Sequence, residues 1–163
     1  KITIQDIVDN CGYSPATFYR NFKDKYDLIV WIYVNDAGKI LGKIGRDGYE
    51  WRDTLRDAAA YYAENRDFAI NALTHTSGRD SFLLQVEKTN IDLLVDIVKM
   101  GTPDGRIPDD IYGMIKVYCY GTVQFMFEWL VEGMKISPDK IAEIWEESLP
   151  EPLKKYLYRR DDL

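Results

Sequence analysis

A glycine-containing break between two short helical segments most constrains how this 163-residue chain can fold. Thr3 is placed to cap a first helix, and Gly12-Tyr13-Ser14 interrupts that helix. Pro15 then occupies a first helical position and starts a second short helix that continues to Phe22. A turn that contains glycine sets two such helices at a steep angle. The pattern therefore predicts a helix-turn-helix, whose second helix can enter the major groove of DNA.

The second short helix has two different faces. Phe18 and Phe22 stand four residues apart on one face, so we expect both rings to pack inward. Their predicted contacts are Ile7, Val8 and Leu28. The other face and its ends carry the small, polar and basic side chains Ser14, Ala16, Thr17, Tyr19, Arg20 and Lys23. We predict that this second face meets DNA.

Individual side chains on that face suit different parts of a DNA duplex. Arg20 is the main candidate for reading bases, because its guanidinium can bond O6 and N7 of guanine together. A phosphate contact or a solvated arginine is the alternative. Ala16 and Thr17 can contact a thymine methyl group. Lys25 opens a third helix, where backbone amides and a lysine suit a phosphate. Thr3 either binds a phosphate or only caps its helix.

The charge balance argues against a protein coated with basic residues for nucleic acid. The chain carries a net charge of −6. Residues 1–30 hold four positive and four negative side chains, so the negative excess lies in the rest of the chain. A neutral N-terminal head can bind DNA where its positive groups cluster on one face.

The two cysteines and the apolar segments indicate a cellular compartment. Cys11 and Cys119 each lie in an apolar helical stretch, and we expect both to be buried free thiols. No signal peptide and no apolar run of bilayer length occurs, so we expect a cytoplasmic protein without a membrane partner. The first helix follows Lys1 almost at once, and we expect native residues to precede it.

Helical periodicity continues through the chain and predicts an all-α protein with a helical-bundle body. Predicted helices after the head span Lys25 to Ile44, 50–64, 66–73, 81–100, 108–133 and 138–149, followed by a short amphipathic tail. Glycines at 42, 45 and 48 and the sequence Thr76-Ser77-Gly78 are predicted helix ends. We expect residues 1–44 to form the DNA-binding head with its connecting helix, and residues 45–163 to form an effector-binding and dimerisation domain.

The longest predicted helix is apolar on most of its sides between Met114 and Val131, which indicates burial on both faces. A second copy of the chain would cover the outer face, and Gly121 would permit a close approach. A monomer with a central core helix is the alternative. The predicted dimer-interface residues are Gly121, Met126, Trp129, Ile141 and Trp145.

Aromatic side chains are frequent in the body and predict either a core or an effector pocket with a few polar members. The predicted pocket residues are Tyr62, Phe68, Tyr118, Thr122 and Phe125. Further polar candidates are Asn71, His75 and Gln124, although His75 is also expected at a helix end.

An enzyme is poorly supported. The chain has one histidine, so a multi-histidine metal site and the HExxH pattern are excluded. Residues 38–43 lack the spacing, the Ser or Thr and the preceding strand of a phosphate-binding loop. We expect no catalytic residues, no metal and no cofactor.

The segments Thr3–Ile7 and Gly12–Leu28 resemble the DNA-binding signature of the TetR family of bacterial transcriptional regulators. They contain its aromatic pair, its final phenylalanine and its lysine at the next helix. The resemblance implies an all-α, tetracycline repressor-like homodimer from which the family's first helix is absent here. Tyr19 matches the family tyrosine that meets the DNA backbone. Segments of the body around residues 31–33, 49–51, 64–68 and 76–82 resemble the subgroup that regulates dihydroxyacetone kinase operons.

The resemblance implies that two recognition helices, about 34–36 Å apart, bind a palindromic double-stranded DNA operator. A small-molecule effector or a kinase-like protein partner would act on the body and change the angle of the third helix. The alternative interpretation, which the neutral head keeps open, is a co-regulator that acts through such a partner with weak or no DNA binding.

Overall fold

The computed structural model describes residues 2–44, 48–76 and 81–158. Regular structure in these ranges is α-helical throughout, which confirms the all-α prediction. The helices are α1 (Ile4–Cys11), α2 (Pro15–Asn21), α3 (Lys25–Leu41), α4 (Trp51–Glu64), α5 (Arg66–His75), α6 (Phe82–Met100), α7 (Asp109–Val131), α8 (Pro138–Glu147) and α9 (Glu151–Leu157). We call α1, α2 and the first turn of α3 the head, and α4 to α9 the body.

The turn between α1 and α2 is built by local hydrogen bonds. Thr3 and Asp6 form a capping box, in which the Asp6 amide donates to Thr3 Oγ1 (3.1 Å) and the Thr3 amide donates to Asp6 Oδ2 (2.8 Å). Gly12 follows α1 with a φ of 70°, a left-handed conformation that glycine adopts without strain. The Tyr13 amide then closes the helix end by donating to Val8 O (2.9 Å). This geometry turns the chain sharply into α2.

Aromatic rings connect α2 to α3. Phe18 is buried, as expected, and its ring centroid lies 5.5 Å from that of Phe22. Phe22 in turn contacts Trp31 of α3 in an edge-on arrangement (5.7 Å). Asp24 caps α3 by accepting from the amides of Tyr26 (2.9 Å) and Asp27 (3.0 Å). The head is therefore fixed to α3 by both packing and backbone capping.

Two local expectations are wrong. α3 ends at Leu41 and not at Ile44, because the hydrogen bonding then tightens, with the Lys43 amide donating to Ile40 O (3.2 Å) in an i to i−3 turn. Cys11 is exposed, because Val8 is the buried position of α1 and Cys11 lies in its last turn on the solvent side. Cys119 is buried, as expected. The predicted helix ends at 45 and 77–78, and the domain boundary after residue 44, fall at or beside residues outside the described ranges.

The core of the body is a cluster of aromatic and aliphatic side chains between α3, α4, α6 and α7, with α8 packed on α4 and α9 packed on α6 and α7. Phe82 lies near its centre. Its ring contacts Tyr33 of α3 (5.9 Å), Phe127 of α7 (6.0 Å) and Phe68 of α5 (6.4 Å between centroids). One side chain of α6 thus packs against three other helices.

α7 has one buried and one exposed side. Residues on the buried side include Ile111, Ile115, Cys119, Val123 and Leu130. The exposed side follows a spacing of three and four residues along the helix, and we call it the α7 stripe: Val117, Tyr120, Gly121, Gln124, Glu128 and Val131. α7 therefore looks apolar on most sides because one side packs in the core and the exposed stripe also carries apolar residues.

We expect Phe82→Ala to lower the free energy of unfolding by about 3–5 kcal/mol, because the ring is 2% exposed and its removal leaves a cavity among three helices. Leu84→Ala is the matched control on the same helix. Its side chain is 45% exposed, so we expect a loss below about 1 kcal/mol. Urea unfolding at a fixed protein concentration measures both, and equal losses would contradict this description of the core.

Candidate functional site

The exposed face of α2 presents the predicted DNA-contacting side chains together. Tyr19 is 59% exposed, and Ala16 and Arg20 are also exposed. Ser14 caps the helix by accepting from the Thr17 amide (3.2 Å), and the two hydroxyl groups lie 3.1 Å apart. The Phe18 ring anchors the opposite face, so α2 shows its polar side to solvent.

Arg20 extends from the last turn of α2. Its Nε donates to Ala16 O over 3.4 Å, near the limit for a hydrogen bond. None of the carboxylates in the described ranges forms an ion pair with its guanidinium. The terminal nitrogens of Arg20 are thus available for a fork-shaped contact with an acceptor outside the protein.

Lys25 and Thr3 have intramolecular partners. Lys25 Nζ donates to Ile2 O (3.0 Å) and lies 5.3 Å from the centre of the Tyr26 ring. It therefore connects the start of α3 to the residue before α1. The Thr3 hydroxyl donates to Asp6 Oδ2 (2.6 Å) and accepts from the Asp6 amide. The structure thus shows the capping alternative for Thr3.

Three acidic side chains of the head form hydrogen bonds with nearby backbone amides. Asp6 belongs to the capping box, and the hydrogen bonds from Thr3 hold the pKa of its carboxyl below the usual value. Asp24 caps α3, while Asp27 Oδ2 accepts from the amide of Lys23 (3.0 Å). The side chain of Lys23 is exposed. The neutral composition of the head hence combines carboxylates at helix starts, where they are stabilising, with exposed basic side chains on α2 and just after it.

A cavity of about 110 Å³ lies in the body between α3, α4, α6 and α7 and reaches Trp145 of α8. Tyr62, Tyr118 and Thr122, three of the residues assigned to an effector pocket, line it. Phe68 and Phe125 do not line it, and each is 37% exposed. The Phe68 ring packs against Phe82 instead, and Phe125 lies on the solvent side of α7, so the structure does not bring these two residues to the cavity.

The other polar candidates also lie elsewhere. Asn71 and Gln124 are exposed and bond within their own helices, to Asp67 O (2.7 Å) and Glu128 Oε1 (3.1 Å). His75 is the last residue of α5, at a helix end as expected.

Several lining residues were missed from the sequence. Tyr33, Ala37 and Ile40 of α3 line the cavity, with Asn90 of α6 and Trp51 of α4. The three α3 residues recur at i, i+4 and i+7, a helical spacing that was available as a signal. This wall belongs to the same helix that holds the head.

Tyrosine hydroxyl groups around the cavity form hydrogen bonds with other helices. The Tyr33 hydroxyl donates to Asn90 Oδ1 (2.7 Å), and the Tyr118 hydroxyl donates to Trp145 O (2.9 Å). Three buried polar atoms have no hydrogen-bond partner within the described part of the chain: Trp51 Nε1, Tyr62 Oη and Trp145 Nε1. Each belongs to a residue that lines the cavity. The Tyr62 hydroxyl lies beside that of Tyr33, and Trp51 Nε1 lies beside the Tyr118 hydroxyl.

The titratable groups of the cavity remain uncharged. Burial raises the pKa of the Cys119 thiol to about 12, and it also raises the pKa of the Tyr61 hydroxyl to about 12. Burial likewise raises the pKa values of Tyr33, Tyr62 and Tyr118 above the ordinary tyrosine range. Among the described lining residues, none is Asp, Glu, Lys, Arg or His. The cavity is thus a neutral, largely apolar space.

The predicted dimer residues occupy two different environments. Met126, Trp129, Ile141 and Trp145 are buried inside the subunit, where Met126 and Trp145 line the cavity. A second copy cannot contact them directly, so their assignment to the surface of an interface was wrong. Gly121 is exposed, and a Cβ built at this position meets no atom within 4 Å. Of the predicted set, Gly121 alone belongs to the α7 stripe.

No helix in the described ranges combines the length and the apolar character needed to cross a bilayer.

Comparison with known proteins agrees with this arrangement of head and body. The family model of the bacterial regulatory proteins of the TetR family matches residues 1–30. A second family model, described as a transcriptional regulator C-terminal region, matches residues 49–150. The chain is also 29% identical over 68 residues to the HTH-type dhaKLM operon transcriptional activator DhaS of Lactococcus lactis subsp. lactis (strain IL1403). That match covers 42% of this chain and 36% of the relative, so the chain spans about a third of the length of this curated protein. The head, the helical body and both family models together assign this chain to the TetR family of bacterial transcriptional regulators.

Proposed function

We propose that this protein is a cytoplasmic regulator that binds a palindromic operator as a homodimer, with α2 as the recognition helix. The exposed face of α2 carries the proposal. In the described ranges Arg20 bonds only weakly to Ala16 O and to no carboxylate, Tyr19 is exposed, and Phe18 is buried on the opposite face of the helix. Arg20 is assigned to a guanine, and Tyr19, Lys23 and Lys25 to the DNA backbone.

The position of α3 supports regulation by an effector. Its first two turns are attached to the head through the Asp24 cap and the Phe22–Trp31 contact. Its middle carries Tyr33 and Ala37, which line the cavity. A small molecule bound there would favour one position of α3, and so one spacing of the recognition helices, to the extent that it binds that state more tightly. The cavity thus supports a small-molecule effector; the named activator role of the relative is a property of that protein.

The α7 stripe supports the homodimer. Its large apolar members Val117 and Val131 are 73% and 60% exposed, and Gly121 between them leaves room for a facing helix. Its spacing of three and four residues is that of a helix packing along a partner helix. A second copy brings the same stripe across a two-fold axis, which is the symmetry that a palindrome requires.

We expect Arg20→Ala to weaken operator binding by about 1–3 kcal/mol for each guanine it contacts, roughly 5- to 150-fold, and to relax specificity at that base pair. Fluorescence anisotropy with DNA from upstream of the protein's own gene measures this. Arg56→Ala is the control, because Arg56 is an exposed arginine on α4 in the body. Binding should weaken steeply with salt in the wild-type protein.

Two outcomes would contradict this assignment. Equal weakening on every DNA sequence would make Arg20 a phosphate contact. If the wild-type protein raises the anisotropy of the DNA only when a cell extract is added, the result would favour a co-regulator that acts through a kinase-like protein partner.

We expect Val117→Arg to dissociate the dimer, because it places a charge on each side of an apolar two-fold contact. The substitution leaves the fold intact, since the Val117 side chain is exposed in the single subunit. Sedimentation velocity at micromolar concentration measures the mass. Met100→Arg, at an 80% exposed apolar residue on α6, is the matched control and should stay dimeric. Wild-type protein that sediments as a single subunit would refute the dimer.

A further inference from the structure

We propose that the cavity binds an uncharged, apolar molecule about the size of benzene, and that Ala37 and Ala58 set the upper limit on its size. This inference rests on the proposed effector site and specifies the chemistry of its ligand.

Hydroxyl groups of the cavity wall already donate to acceptors within the protein. Those of Tyr33 and Tyr118 bond to other helices, and the Thr122 hydroxyl donates to Tyr118 O within α7 (2.8 Å). The Tyr61 hydroxyl donates to a carboxylate oxygen of Asp36 (3.1 Å). A ligand that needed these protons would have to break hydrogen bonds that the protein has made.

The buried polar atoms without partners do not give a ligand a polar contact either. Trp51 Nε1, Tyr62 Oη and Trp145 Nε1 are covered by neighbouring protein atoms and present almost no surface. The rings of these residues still line the cavity. The wall that a ligand meets is therefore mainly ring and hydrocarbon surface, which favours an apolar molecule.

The wall also disfavours a charged ligand. It contains hydrocarbon side chains such as Leu55, Leu94 and Val123, and among the described lining residues none is Asp, Glu, Lys, Arg or His. A carboxylate or an ammonium group would lose its hydration here without gaining an opposite charge, which is costly. A neutral ligand avoids that cost.

The volume of the cavity limits the size of the ligand. An engineered cavity of about 150 Å³ with hydrocarbon walls in another protein stays dry and binds benzene. The present cavity of about 110 Å³ is somewhat smaller, so it suits a compact ring of about five or six non-hydrogen atoms. Aromatic side chains supply much of its wall, and an aromatic ring can pack against them edge to face.

Two alanines keep this space open. Ala37 of α3 and Ala58 of α4 both line the cavity, on helices that pack against each other. A longer apolar side chain at either position would occupy volume that a ligand needs. The size of the ligand is therefore limited by α3, the helix that carries the head, and by its neighbour α4.

Three probes with the same number of non-hydrogen atoms test the chemistry of the ligand: benzene, the uncharged polar lactam 2-pyrrolidinone, and butyrate. We expect benzene to bind, and the other two to bind at least about tenfold more weakly, because each must bury a polar or charged group without a partner. Affinities come from NMR titration of the ¹⁵N-labelled full chain. Absence of benzene binding overturns the proposal, and so does lactam or butyrate binding as tight as that of benzene.

The four tryptophans show where benzene binds. Their indole N–H signals are assigned with single Trp→Phe variants and followed in the same titration. We expect the signals of Trp51 and Trp145 to move, because both residues line the cavity. Buried Trp129 and exposed Trp31 do not line it and are the internal controls. Movement confined to Trp31 or Trp129 would place benzene elsewhere and overturn the proposal.

Filling the cavity tests the size limit. We expect Ala58→Leu to weaken benzene binding at least about tenfold, because the leucine side chain occupies the space of the ring. Ala60→Leu is the matched control, since Ala60 is exposed on the same helix and does not line the cavity. Ala37→Leu fills the space from α3 and decides the question where Ala58→Leu does not fold. A folded variant with leucine at position 37 or 58 that binds benzene as the wild type does contradicts the assigned size limit.

The readout needs no DNA, so its failure is separate from a failure of operator binding. Absence of benzene binding would reject this class of ligand and leave the operator experiments unaffected. Benzene binding in the cavity without any change in operator affinity would support the class of ligand while contradicting the effector role of the site.

Discussion

The attachment of the head to the body depends on the contacts of the buried Tyr33 side chain. The ring packs edge-on to Phe82 and beside Tyr62, and its hydroxyl donates to Asn90. A buried tyrosine holds its neighbours in one arrangement, because both its apolar face and its polar end require partners. This single side chain of α3 thereby fixes the helix that carries the head against α4 and α6. It also forms part of the cavity wall, so any molecule in the cavity shares a boundary with this attachment.

Local sequence signals were sufficient for the head and for the existence of the helices. Thr3 and Asp6, the left-handed Gly12 and the buried Phe18 act through neighbours within a few residues, so their roles follow from spacing alone. The inward side of α7 did not follow from spacing. In a helix that is apolar on most sides, Met126 and Val117 look alike in sequence, and the packing of α5, α6 and α9 decides which one is buried. Likewise, the cavity joins residues from α3 to α8, and their convergence depends on long-range packing that periodicity does not contain.

Residues that line the cavity include exceptions to the rule that buried polar atoms form hydrogen bonds. Other buried side-chain polar atoms in the described ranges are engaged, as when Trp129 Nε1 donates to Ile136 O. A buried donor without a partner costs about 1–3 kcal/mol, and Trp51, Tyr62 and Trp145 concentrate such costs around one space. Features that lower stability, such as buried polar atoms without hydrogen bonds, are expected mainly at functional sites.

The length of α3 has a geometrical consequence. At a rise of 1.5 Å per residue, Lys25 lies about 12 Å along the helix axis from Tyr33. If Tyr33 acts as a pivot, tilting the helix by about 10° displaces that end by about 2 Å, and the aromatic connection through Phe22 and Trp31 makes α2 follow. In the proposed dimer the N-terminal ends of the two α3 helices move in opposite directions. The separation of the two heads then changes by about 4 Å, compared with a DNA helical repeat of about 34 Å. A small tilt of α3 at the cavity can therefore change the separation of the two heads enough that they no longer match the helical repeat of DNA.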